Sequence, residues 1–251
     1  MSLRPCYALF QKGMFMTNPF AQQKPINGVK HVIAVSSGKG GVGKSTVTTN
    51  LAMALSKKGA KVGLLDADFY GPSIPRLMGV MNQSPKMDPQ TNTIAPLNQF
   101  GIKIMSLGNL IEPDKAVIWR GPMLFKAMEQ FFRDVQWGEL DYLLVDLPPG
   151  TGDVQLTLCQ KVPVSGAISV CTPQNVALMD VTRSVDMFKT VDTQVIGYIE
   201  NMAHYLTPDG QKLEMYPKGD LEKYMSDMQI PKLAEIPFMP EASKAAEMGM
   251  P

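Results

Sequence analysis

Short apolar runs and longer segments of helical spacing take turns along most of the chain. His31–Ser37, Lys61–Leu65, Ile102–Leu107, Tyr142–Val145, Ala167–Thr172, Val195–Met202 and Leu233–Pro237 each read as a strand of buried length. Helical spacing follows residue 43, where Leu51, Ala52 and Leu55 share a face up to Lys57-Lys58-Gly59. It recurs over Met123–Val135, over Ala177–Lys189 with Val181, Val185 and Phe188 on one face, and over about residues 241–248. Residues 81–95 are rich in turn formers, and residues 1–28, with Pro5, Pro19 and Pro25, have no periodicity. The chain has 251 residues, 45% of them hydrophobic, which suits one substantial core. The expectation is a flexible arm over residues 1–28 and one α/β domain over 29–251.

The first strand runs into Gly38-Lys39-Gly40-Gly41-Val42-Gly43-Lys44-Ser45-Thr46 and then into a helix. That order of strand, glycine loop and helix is the setting the phosphate-loop pattern G-x-x-x-x-G-K-[ST] requires. Glycines at 38, 40, 41 and 43 permit positive φ and close backbone approach, so N–H groups converge on phosphate at a helix N-terminus. Lys44 is expected to reach the β- and γ-phosphates of ATP, and the Ser45 hydroxyl to ligate Mg²⁺. Lys39 is a second lysine inside the loop.

Acidic groups fall where such a site needs them. The second strand ends in Asp66-Ala67-Asp68, at a C-terminal strand end where open α/β sheets bind ligands. Asp68 is assigned to position the attacking water and Asp66 to support the Mg²⁺ shell. Tyr142-Leu143-Leu144-Val145-Asp146-Leu147-Pro148-Pro149-Gly150-Thr151-Gly152-Asp153 delivers another acid and a glycine-proline loop, the Walker B and switch pattern. A buried carboxylate there needs a partner, which gives Asp146 a metal role. Gly150 and Gly152 leave backbone N–H groups to sense a γ-phosphate, and Asp153 reads as a helix cap. Asn201, ending its strand, offers the donors and acceptor that read an adenine edge, or serves as an ordinary turn residue. Pro237 opens a segment that lies against the base. Arg120 suits a phosphate, an interface or a surface ion pair equally.

Charge and cysteine usage narrow the class. The formal net charge is +1, yet residues 1–65 hold nine Lys or Arg and no acid, so the positive end coincides with the glycine loop. No basic run or basic-aromatic cluster occurs, so nucleic acid is not an expected partner. Cys6, Cys159 and Cys171 lie far apart, which suits a reducing compartment, and cytoplasm is the default. No apolar run is long enough to span a membrane. Nineteen methionines are scattered and read as core filling. His31 and His204 have no metal-ligand spacing.

The form K-G-G-x-x-G-K-[ST] resembles the MinD/ParA-type ATPases, whose extra lysine contacts nucleotide phosphate across a dimer interface, which implies that role for Lys39. With GKGGVGKST, LLDADFYGPSIP, WRGPM, LLVDLPPGTGD, VCTPQ, IENM and EIPFMPE in this order, residues 30–250 resemble the Mrp/ApbC family of iron-sulfur cluster carriers. The resemblance implies a doubly wound, mostly parallel sheet, a homodimer, slow Mg²⁺-dependent ATP hydrolysis and an iron-sulfur apoprotein or scaffold as partner. It also implies relatives that continue past the position of Pro251 and many with a small N-terminal domain. One departure matters: the family's C-P-x-C pair, which bridges a [4Fe-4S] cluster between subunits, falls where this chain has Thr207-Pro208-Asp209-Gly210. That argues against a cluster held by this chain alone. A MinD/ParA-like switch that binds a protein partner and carries no cluster is the alternative.

Overall fold

A computed structural model describes residues 23–110, 121–217 and 219–251. Cys6, Trp119 and Arg120 lie outside the described residues, as do residues 1–22 of the expected arm. In chain order the elements are β1 (Val29–Ser36), α1 (Lys44–Lys57), β2 (Val62–Asp66), α2 (Ile74–Leu77), β3 (Lys86–Asp88), β4 (Thr93–Ala95), β5 (Leu97–Gln99) and β6 (Ile102–Ser106). Then come α3 (Gly121–Arg133), β7 (Leu140–Asp146), α4 (Asp153–Lys161), β8 (Gly166–Cys171) and α5 (Asn175–Thr190). The chain closes with β9 (Val195–Leu206), β10 (Lys212–Leu213), α6 (Leu221–Asp227), β11 (Lys232–Phe238) and α7 (Pro240–Glu247).

The sheet runs β10-β9-β8-β1-β7-β2-β6-β5, with β11 also on β9. Neighbours from β11 across to β6 are parallel, while β5 and β10 pair antiparallel at the margins. This is the doubly wound, mostly parallel α/β sheet that the motif order implied. The pleat explains the covering of both faces. Leu64, Ile104 and Leu144 join Ala52 and Ile74 on the α1 side, while their neighbours Leu65, Met105 and Val145 pack with Phe131, Trp137, Leu158 and Phe188 on the other. Every residue of β2 and β8 is buried, as a strand between two helical layers demands.

Two differences from the sequence reading have local causes. Residues 23–28, expected to be loose, are tied down: Ile26 is buried, Arg133 donates to the carbonyls of Lys24 and Pro25, and Gln23 donates to the Cys159 carbonyl. Within the turn-rich stretch 81–95, β3 and β4 pair as a small hairpin, because alternation over three residues is too short a signal to recognise.

Candidate nucleotide site

β1 sits between β7 and β8, so its C-terminal end delivers the glycine loop to the mid-sheet point where the strand order reverses. The four glycines do different jobs. Gly41 and Gly43 have φ of 78° and 79°, the left-handed region that a side chain resists. A Cβ on Gly40 or Gly41 would meet nothing within 4 Å, so both face open space that phosphate oxygens can fill. Gly38 is there for packing: a Cβ would fall 2.4 Å from the Asp180 carbonyl carbon of α5. Val42 is buried and anchors the loop to the core. α1 has no acid in its first turn, so its positive end stays uncompensated. A cleft of about 240 Å³ is lined here by Lys39, Gly40, Gly41, Lys44, Ser45, Thr46, Asp68 and Pro149.

Asp146, fully buried at the end of β7, organises the floor of this cleft. Its Oδ2 accepts from Lys44 Nζ at 2.7 Å and from Ser45 Oγ at 2.6 Å, and its Oδ1 accepts from Thr48 Oγ1 at 2.7 Å. The arrangement unites three donors on successive faces of α1's first turns with one carboxylate, which compensates a charge that burial would otherwise forbid. Thr48 was not picked out from the sequence, although its position one helical turn beyond Lys44 is a usable signal.

Asp66 pairs with Asp146 in the β2–β7 register. Burial, and then the neighbouring Asp146 charge, push its carboxyl up to about 7. Its Oδ1 accepts from Asp68 N at 3.1 Å, and its Oδ2 from Ile74 N at 3.1 Å and Ser106 Oγ at 3.2 Å. Asp66 therefore holds the 68–74 loop to the sheet from a position beside Asp146. Asp68 lines the cleft itself; partial burial raises its pKa, and Lys44 opposes that rise. Among the described residues no group of three or more His, Cys, Asp or Glu could hold a metal ion. Mg²⁺ is commonly held by one or two carboxylates together with phosphate oxygens and water.

Asn201 braces the glycine loop: its Nδ2 donates to the Val42 carbonyl at 2.8 Å and crowds the place where a Gly43 Cβ would stand. A carboxamide has a second N–H and an acceptor oxygen besides, the groups that an adenine edge requires. Asn201 also borders a second cleft of about 400 Å³ that adjoins the first through Gly43 and Thr46. Pro237 lines that cleft together with Leu77, Met202, Phe238 and Met239, which the sequence did not single out. Lys39 donates to Gln174 Oε1 at 3.2 Å, so it has a partner within its own chain. The cap of α4 is Gly152, and Asp153 is its first helical residue.

The stretch after IENM continues as strand: β9 runs to Leu206 and turns back into β10. Thr207 N donates to Gln211 O at 3.0 Å, Gly210 N to Thr207 O at 2.9 Å, and Gly210 has φ 83°, so Thr207-Pro208-Asp209-Gly210 closes as a hairpin tip. His204 has company the sequence did not suggest, its Nδ1 lying 3.0 Å from Glu235 Oε1. Cys159 and Cys171 are buried, and burial pushes their thiols up to about 11 and about 12. With a raised pKa the reactive thiolate appears only as pH climbs toward that value, so at pH 8 Cys159 carries on the order of one thiolate in a thousand. Iodoacetamide followed by peptide mapping is expected to label neither residue in the native protein at pH 8, and to label both in denaturant. Rapid native labelling would overturn the burial assignment.

A parallel α/β sheet with a glycine loop at its reversal point, opening onto a buried lysine-carboxylate pair, defines a P-loop nucleotide-binding protein. The ParA family description, NUBPL iron-transfer P-loop NTPase, matches residues 28–251. The chain belongs to this family. It is 49% identical over 235 residues to the iron-sulfur cluster carrier protein of Aquifex aeolicus, covering 93% of this chain and 64% of that protein. To the iron-sulfur cluster transfer protein NUBPL of Mus musculus it is 43% identical over 244 residues, covering 96% of this chain and 76% of that one. The chain thus spans less than two thirds of the length of the Aquifex relative. Among solved structures, the nucleotide-binding protein of Archaeoglobus fulgidus in complex with ADP superposes with a TM-score of 0.79 at 38% identity, covering 90% of this chain and 88% of that one. The MinC:MinD complex of Aquifex aeolicus, at 23% identity and TM-score 0.64, shares the fold.

Proposed function

We propose that this chain binds and slowly hydrolyses ATP with Mg²⁺ and uses that cycle in iron-sulfur cluster assembly or transfer. The observation that carries the nucleotide half is the Lys44–Ser45–Thr48–Asp146 cluster beneath the open Gly40-Gly41 backbone. The cradle fits a polyphosphate: open N–H groups, an unopposed helix N-terminus and a buried lysine that exchanges its carboxylate for phosphate oxygens. Ser45 and Asp146 are the residues to hold Mg²⁺, which when bound supplies charge neutralisation at the phosphates. Asp68, inside the cleft, orients the water, and the apolar walls at Pro237, Phe238 and Met239 take the base. Lys39 completes the site of a second copy after leaving Gln174, which makes the working form a homodimer. The iron-sulfur half rests on the similarity to named carriers, and a cytoplasmic setting on the sparse, separated cysteines.

Asp68→Asn tests the chemistry, since it keeps the shape of the cleft and removes the base. ATP turnover is expected to fall roughly a hundredfold while Mg-ADP affinity stays near that of the wild type. Loss of ADP binding would show that Asp68 holds the loop or metal.

A second reading, a MinD/ParA-like nucleotide-switched dimer that carries no cluster, is favoured by one observation: the plain hairpin at Thr207–Gly210, with Cys159 and Cys171 both buried.

A further inference from the structure

We propose that Gln155 is the positioning residue of the 148–152 loop, and through that loop sets the response of the site to the third phosphate; this deepens the ATPase reading and rests on it. Gln155 is the third residue of α4 and wholly buried. Helical side chains lean toward the N-terminus, so its amide folds back over the loop that precedes its own helix. There Nε2 donates to the Pro148 carbonyl and to the Gly150 carbonyl, both at 2.7 Å. Gly150 is gripped from its other side as well, its N–H donating to the Ser37 carbonyl at the end of β1 at 2.9 Å.

The loop is therefore fastened at one end to the strand that bears the glycine loop and at the other to a single buried amide. Pro149, between the two gripped carbonyls, lines the phosphate cleft. Turning the Pro148 and Gly150 carbonyls toward Gln155 fixes both peptide planes, and with them the direction of the Thr151 N–H, because C=O and N–H of one trans peptide point opposite ways. An apolar residue of the same length would fill the space and direct nothing.

The other half of the amide is the second observation. Gln155 Oε1 is buried with no hydrogen-bond partner, and the nearest approach of a Cβ built on Gly152 would be to this atom, at 3.8 Å. A buried acceptor left open beside a glycine-rich loop gives that loop a second arrangement, in which an N–H of residues 151–152 turns onto Oε1. Loops that sense a γ-phosphate work through such pairs of states. Gln155 holds both: two carbonyls gripped by Nε2, one N–H awaited by Oε1.

The test compares Gln155→Met and Gln155→Glu with wild type. Both lack the donor, and the second keeps the shape and the acceptor. Each is expected to lower ATP turnover roughly tenfold or more while Mg-ADP affinity stays within about threefold, because ADP is held by the glycine loop and not by the 148–152 loop. Retained ADP binding also reports that the variant is folded. In wild type, amide hydrogen exchange at residues 150–152 is expected to slow with a non-hydrolysable ATP analogue and not with ADP. Unchanged turnover in both variants, an equal loss of ADP and ATP-analogue affinity, or identical exchange with the two nucleotides would each overturn the inference. Wild-type protein that neither binds Mg-ADP nor turns over ATP would overturn the ATPase reading and this one with it, whereas normal wild-type turnover with indifferent variants sinks this one alone.

Discussion

Lys44→Ala is expected to abolish Mg-nucleotide binding, with affinity for Mg-ADP falling at least about a hundredfold, because it removes the buried ammonium beneath the phosphate cradle. Asp146→Ala is expected to do the same through the other half of the pair. The two differ in stability. Lys44 and Asp146 form a buried ion pair at 2.7 Å, and breaking such a pair by deleting one partner costs about 3–5 kcal/mol when the other is stranded. After Lys44→Ala the carboxylate keeps its Ser45 and Thr48 donors, so the cost is expected near the lower end. After Asp146→Ala the lysine loses the carboxylate it is paired with, while Asp66 is relieved of the neighbour that helps to raise its pKa. Calorimetric titration with Mg-ADP, together with urea unfolding of each variant, reads both quantities. Wild-type affinity in either variant would remove the cluster from the nucleotide site.

Anaerobic reconstitution with iron and sulfide is expected to leave this 251-residue chain with less than one four-iron cluster per dimer. Such clusters are held by cysteine thiolates. Thr207 and Gly210 supply none, and their hydrogen bonds close a plain hairpin tip. Cys159 and Cys171 sit in the core with thiols pushed up to about 11 and about 12, far from the deprotonated state a ligand needs. On that outcome the proposed role in transfer would run through ATP-dependent contact with a partner that brings the cysteines. Metal and sulfide analysis beside the visible thiolate-to-iron absorption decides it. A stoichiometric cluster lost on changing Cys159 or Cys171 would restore the carrier role and remove the second reading.

How much of this was legible before folding depends on how local each interaction is. The glycine loop, the strand that feeds it and the helix that leaves it are consecutive, so their residue types report the backbone they must adopt. Positive φ at Gly41 and Gly43 is a property of the loop itself. The Thr-Pro-Asp-Gly tip is equally local, and so was its turn. The buried strands were readable for a similar reason: a parallel strand covered on both faces is largely apolar, as β2 is up to its terminal Asp66 and β8 is but for Ser169.

What the sequence could not hold is who meets whom across the sheet. Asp66 and Asp146 stand side by side only because β2 pairs with β7, and that pairing, with burial, is what lifts Asp66 and turns it toward the 68–74 loop. Asn201 meets the Val42 carbonyl only because β9 carries it against the glycine loop, and Lys39 meets Gln174 only because the start of α5 is set beside that loop. Gln155 carried no motif at all, since its meaning comes from two carbonyls that fold back over it. Sequence determined the nucleotide-binding loop and the layers that support it, because those follow from short-range backbone preference and the apolar period. Tertiary structure alone decided which donor each carboxylate and amide would keep, because a hydrogen bond between distant segments has no periodicity to announce it.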